Sequence, residues 1–203
     1  MGGDWYDAFW LPPGERLAVV VGDVVGRGIG AAATMGQLRS ALRALAVGEG
    51  GPAQVLEALD GYVRRHAVGT MTTVAYAQID VRSGEVCLAC AGHPPPVVLE
   101  PGRPARFVWE GRSVPLDAFG LAQKRAEGSF VLAPGGALVL YTDGLVERRH
   151  ITLPEGMDAL LAALDRHEAA AGATSAALVD ELAAHDGAAD DVCVLAARLH
   201  PRS

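Results

Sequence analysis

The sequence predicts an α+β fold built as one domain over residues 1–203. Three observations carry that prediction. Segments with strand character come in runs instead of alternating singly with helices, which favours layered sheets with segregated helices over an alternating parallel sheet. Segments with helical periodicity come as two pairs. Half of the residues are hydrophobic and only 20% are charged, enough apolar matter to bury a core.

The elements follow in order. Leu17–Val21 is a short continuous apolar run between Arg16 and Gly22 and reads as a buried strand. A glycine-rich turn, Gly22 to Gly28, comes next. From Ile29 to Val47 the residues Met35, Leu38, Leu42 and Leu45 recur at helical spacing. Gly48–Gly51 breaks that helix, and Pro52 suits a first helical position. Val55, Leu56, Leu59 and Val63 make a second amphipathic helix ending near His66. The period then changes. Thr72–Ile79 is β-branched and aromatic, Asp80–Gly84 reads as a hairpin turn, and Glu85–Ala91 as the returning strand. Further strands are expected at Pro96–Leu99, Arg106–Trp109, Ser129–Leu132 and Ala137–Tyr141, with surface loops at Pro101–Gly111 and Ala122–Glu127. Two helices, Pro154–Ala171 and Thr174–His185, precede a last strand, Val192–Leu199.

Charge and composition exclude several classes. The net charge of 17 − 24 = −7 argues against a non-specific binder of nucleic acid or anionic membranes. No apolar run reaches the roughly 18–20 residues that cross a bilayer, and Met1–Asp7 lacks the pattern of a secretory signal. Three cysteines form no disulfide framework in a chain of this length, so a cytoplasmic, reducing setting is expected. Cys87-x-x-Cys90 falls inside a predicted strand, where its two side chains face opposite ways, and reads as buried thiols. Gly26-x-Gly28-x-Gly30 lacks the Gly-x-Gly-x-x-Gly spacing of a dinucleotide loop.

The informative feature is where the aspartates fall. Asp23 directly follows the first buried run and Gly22, Asp143 directly follows Leu138–Thr142, and Asp190 and Asp191 directly precede Val192–Leu195. Asp4 and Asp7 lie among aromatics in Gly2-Gly3-Asp4-Trp5-Tyr6-Asp7. Any one of these is also an ordinary turn former or helix cap; the case rests on the set. Carboxylates at the mouths of apolar strands are costly to desolvate unless paired or metal-bound, and an all-oxygen ligand set selects hard cations such as Mg²⁺ or Mn²⁺.

Five segments occur in register: Gly2–Asp7, Gly22-Asp23-Val24-Val25-Gly26-Arg27-Gly28, Ala91-Gly92-His93-Pro94-Pro95-Pro96, Leu140-Tyr141-Thr142-Asp143-Gly144-Leu145-Val146-Glu147 and Asp190-Asp191-Val192. Together they resemble the metal-dependent PPM (type 2C) serine/threonine phosphatases, most closely the bacterial SpoIIE-type branch that regulates sporulation and alternative sigma factors. The resemblance implies an αββα sandwich of two antiparallel sheets flanked by helix pairs. It implies two Mn²⁺ or Mg²⁺ ions. Asp23 would bridge them, the Val24 carbonyl would serve one, and Asp143 and Asp190 the other; Asp4 would complete the centre directly or through water. Asp191 is the alternative to Asp190. Asp4, Asp23, Asp143 and Asp190 are thereby the expected catalytic set.

The same resemblance implies hydrolysis of phosphoserine or phosphothreonine on a protein, an anti-sigma-factor antagonist, by water activated between two cations. The family usually carries a strand just upstream of the Gly-Gly-Asp segment; its absence here reads as a domain excised from a longer regulator with an upstream sensor domain. An edge left open in this way would invite pairing with another chain, a homodimer being one outcome. Arg27 stands where the branch often has histidine and is open to a phosphate contact or a solvent-exposed role. His93 is open to facing the metal centre or to packing its loop. The alternative to an enzyme is a catalytically silent, phosphatase-like regulatory or protein-binding module.

Overall fold

The first strand is seven residues of largely alternating burial. In β1 (Trp5–Leu11) Trp5, Asp7 and Leu11 are buried while Tyr6 and Trp10 are exposed. This strand was not expected from the sequence, because aromatics occupy both of its faces and hide the period of two. It pairs antiparallel with β2 (Arg16–Asp23), which extends the expected Leu17–Val21 run far enough to carry Asp23 on its last residue. The computed structural model describes residues 2–147, 150–169, 175–183 and 191–200.

The turn after β2 leads into α1 (Ile29–Ala46), and α2 (Pro52–His66) follows with Pro52 at its first turn. Gly26 and Gly28 hold φ of 111° and 82°, values that a side chain disfavours. The glycines of this turn therefore answer a backbone requirement of the turn itself. β3 (Thr73–Asp80) and β4 (Glu85–Ala91) form the expected hairpin. β5 (Val97–Glu100) and β6 (Arg103–Phe107) form a second one. The expected strand Arg106–Trp109 thus lies earlier in the chain. Pro104 is tolerated there because β6 is an edge strand.

β7 (Arg112–Ser113) is two residues long, and β8 (Gly128–Val131) and β9 (Ala137–Tyr141) complete the middle of the chain. The segment Ala122–Glu127 is not simply a surface loop. Arg125 is buried there and donates to Asp60 of α2 at 2.5 Å and to the Ser113 hydroxyl at 3.0 Å. α3 (Leu153–Ala169), α4 (Ser175–Ala183) and β10 (Val194–Arg198) end the fold.

Two sheets result. The first runs β1-β2-β3-β4-β7, with β8 also paired to β4; the second runs β10-β9-β5-β6. Among the described residues every strand pairing is antiparallel except β4 with β7, where Cys90 and Ala91 run parallel to Arg112 and Ser113. Three apolar layers match an αββα sandwich. Leu38, Leu42, Leu56 and Leu59 pack α1 and α2 onto the outer face of the first sheet. Val19, Val21, Leu88, Leu138 and Leu140 lie between the sheets. Val139, Tyr141, Leu160 and Leu178 pack α3 and α4 onto the second sheet. Cys90 is buried in the middle layer, Cys87 is half-buried, and all three cysteines are free thiols. Among the described residues no helix is long and apolar enough to cross a membrane.

Candidate metal centre and active site

The ends of the two sheets bring distant carboxylates together. Trp5 pairs with Gly22, the Val24 N–H donates to the Gly3 carbonyl at 3.3 Å, and Gly2 bridges Arg27. These contacts lay Asp4 alongside Asp23. Gly3 is needed for the approach, since a Cβ there would overlap the Val24 carbonyl. From the second sheet, β9 runs into Thr142 and a 3₁₀ turn that begins at Asp143 (Asp143–Leu145).

Asp4 records the convergence. It interacts with the Thr142 hydroxyl, with Asp23 by a hydrogen bond, and with the charge of Asp143. Burial, reinforced by Asp23 and Asp143 against the opposing Thr142 hydroxyl, pushes its carboxyl up to about 7. Its Oδ2 is buried without a hydrogen-bond partner among the described residues. Asp191 is exposed. Its carboxylate lies against Gly2 and its carbonyl against Gly144, so that a Cβ on either glycine would overlap it. Asp190 lies outside the described residues. Among those described, no three His, Cys, Asp or Glu side chains close into a cage around a common point. What the fold assembles is Asp4, Asp23 and Asp143 at one confluence, with Asp191 at its rim.

Thr142 has a role that the sequence analysis left unassigned, although it stands inside a quoted segment. Fully buried, it donates its N–H to the Cys193 carbonyl at 3.0 Å, and its hydroxyl accepts the Cys193 N–H at 2.9 Å. It therefore ties the approach to Asp143 to the segment that follows Asp191. His93 resolves to the packing role. Its Nε2–H donates to the Tyr141 carbonyl at 2.9 Å, and its Nδ1 accepts from the Thr73 hydroxyl at 2.8 Å. Burial lowers it to about 4, against the favourable Tyr141 bond, so it is a neutral strut under the end of β9. Arg27 is exposed, and Asp7 faces arginines of α1 and takes no part in the cup.

Next to Asp143 a cavity of about 230 Å³ opens between His93, Trp109, Arg112, Tyr141 and Met157. Neither Trp109 nor Arg112 lies in any recognisable motif, so no sequence signal pointed to them.

A sandwich of two sheets and two helix pairs is the fold of solved PP2C phosphatase domains. The structure of the PP2C phosphatase domain and a fragment of the regulatory domain of SpoIIE from Bacillus subtilis shares this fold, with a TM-score of 0.79 at 16% identity over 98% of this chain and 57% of that one. The family model described as Stage II sporulation protein E (SpoIIE) matches residues 13–200, and the chain belongs to that family. It is 28% identical over 152 residues to the phosphoserine phosphatase RsbU of Bacillus subtilis, covering 73% of this chain and 44% of that protein. It is also similar to the structure of the RsbU and RsbW domains of a Mycobacterium tuberculosis protein, at 34% identity and a TM-score of 0.85, over 100% of this chain and 57% of that one. The chain thus spans about half the length of these relatives.

Proposed function

We propose that this domain is a Mn²⁺- or Mg²⁺-dependent protein serine/threonine phosphatase acting in a reducing cytoplasm, with a phosphorylated anti-sigma-factor antagonist as substrate. One observation carries the reading: a buried carboxylate oxygen of Asp4 lacks a partner among the described residues while Asp23 and Asp143 crowd it. Such a grouping is tolerable only with added positive charge. The donors are all hard oxygens, which suits Mg²⁺ or Mn²⁺ and disfavours softer ions.

Asp23, the Val24 carbonyl, Asp4, Asp143 and either Asp190 or Asp191 would hold two ions. Bound there, divalent cations supply an activated water and neutralise charge on the phosphoryl oxygens. The chain's own residues position the carboxylates. Thr142 holds Asp4 through its hydroxyl and ties the Asp143 turn to the last strand. His93 fixes the end of β9 from below. Gly3 lets the Asp4 segment reach Asp23. The longer relatives are consistent with a sensor or partner domain joined to this one.

The test is manganese-dependent hydrolysis of an aryl phosphate by Asp23→Ala and Asp143→Ala, with circular dichroism to check folding. Both variants are expected to be folded and inactive, and retained hydrolysis in either rejects the reading. Tight manganese binding by calorimetry with no hydrolysis of any phosphopeptide would identify a silent regulatory module instead.

A further inference from the structure

The cavity beside Asp143 holds groups that the hydrolysis described above does not use. Arg112 stands on its rim with its guanidinium carbon 5.0 Å from the centre of the Trp109 ring, a cation–π distance. Arg39 and Arg43 are matched with Asp7, Arg125 with Asp60 and Arg198 with Glu168, whereas the described Arg16, Arg27, Arg65 and Arg106 form no ion pair with a described carboxylate. Among the described residues Arg112 forms no such ion pair. Tyr141 also lines the cavity. Its side chain is 1% exposed, yet its hydroxyl has no hydrogen-bond partner among the described residues. A buried phenol left without a partner is costly and calls for a polar group from outside.

Position supplies the rest. The cavity shares Asp143 with the carboxylate cup, Val146 and Met157 give it an apolar wall, and Glu147 is a second carboxylate in its lining, so that Arg112 is the cationic group a substrate side chain would have to reach. A polypeptide whose phosphoryl group lies at the cup has its adjoining side chain at the mouth of this cavity. The apolar wall suits the methylenes of that side chain. The planar guanidinium, preset by its stack on Trp109, suits a carboxylate at its tip.

We infer that the cavity is a specificity subsite for an acidic residue next to the phosphorylated serine or threonine, read by Arg112 and by the Tyr141 hydroxyl. This rests on the phosphatase reading and adds to it the sequence class of the substrate.

The experiment uses three phosphopeptides that differ only beside the phosphoserine, carrying Glu, Gln or Lys, with p-nitrophenyl phosphate as the substrate that has no flanking residue. Wild type is expected to favour Glu over Lys in kcat/KM by about tenfold, and Arg112→Glu to reverse that order. Arg112→Ala is expected to erase the preference, with a loss concentrated on the Glu peptide. Indifference of the wild type to the flanking charge overturns the inference. So does an Arg112→Ala loss of equal size on p-nitrophenyl phosphate and all three peptides, which would put Arg112 on the scissile phosphate. If the wild type hydrolyses nothing, the phosphatase reading has failed, and fluorescence anisotropy with the same peptides still decides the subsite. Preferential binding of the Glu peptide, lost in Arg112→Glu, then supports it; equal binding of all three overturns it.

Discussion

Asp4 and Asp7 lie three residues apart in one segment, and the fold treats them in opposite ways. Asp7 points to α1 and is 4% exposed. Arg43 donates to it at 2.5 and 2.6 Å, and Arg39 at 3.2 Å. Burial alone would raise its carboxyl, but the two guanidinium groups outweigh that and hold it below the usual range. Asp4 points to the confluence of the sheets, where its neighbours are Thr142 and two further carboxylates, and it is pushed up to about 7. The difference separates a carboxylate whose countercharge the chain supplies from one that the chain surrounds with further carboxylates. The first is structural; the second is the one proposed above as a metal ligand.

Substitutions can break that contrast. The largest effect is expected for Asp4→Asn: a loss of roughly 100-fold in metal-dependent hydrolysis, together with a higher melting temperature in chelator, because one member of a repelling group is gone. A lower melting temperature without metal would mean that Asp4 is structural after all.

His93 adds a third buried titratable group, countered by neither arginine nor cation. Its folded value of about 4 lies below its ordinary 6.5, so the unfolded chain binds more protons between those limits. Stability therefore falls as pH drops from about 6.5 to about 4, by on the order of 3 kcal/mol, and is unaffected by His93 above that window. Urea unfolding across this range should show the slope in wild type and a flatter one in His93→Gln.

Asp7→Ala should leave activity per folded molecule intact and cost roughly 1–3 kcal/mol. That is less than a fully buried pair, because both arginines are half in water. The sign follows from a lowered carboxyl: the contribution is complete above the ordinary value near 3.8 and fades as pH falls through the lower, folded value. Chemical denaturation at pH 7 and pH 3 should thus show a smaller gap between wild type and Asp7→Ala at pH 3. The smallest effect divides the clamp itself. Arg43→Ala should cost about 1 kcal/mol and Arg39→Ala about half of that, following their hydrogen-bond lengths.

How much of this was legible depended on the range of the interactions. α2 and β4 have the bounds that local pattern predicts, Pro52–His66 and Glu85–Ala91, because a proline start, a helical stripe and a β-branched hairpin are local signals. β1 escaped because Tyr6 and Trp10 put aromatics on its exposed face. β7 escaped because two residues carry no period, and its pairing to β4 comes from contacts twenty residues away. In the candidate site the aspartates were legible from their places at strand ends and from the family resemblance. Asp4 and Asp7 were indistinguishable there, since what separates them is Arg39 and Arg43, more than thirty residues on. Arg125 read as loop for the same reason: its partner Asp60 is 65 residues away.

By itself the sequence determined the element types, the apolar faces and which carboxylates end strands, because these follow from side-chain periodicity and turn chemistry within a few residues. Only the tertiary structure decided which carboxylate meets an arginine and which meets other carboxylates, that Thr142 joins the two sides of the cup, and that Arg112 and Tyr141 share a cavity with Asp143. The reason is electrostatic. Charge and desolvation act through space over a few ångströms, and the sheets bring into that range residues that the chain keeps more than a hundred positions apart.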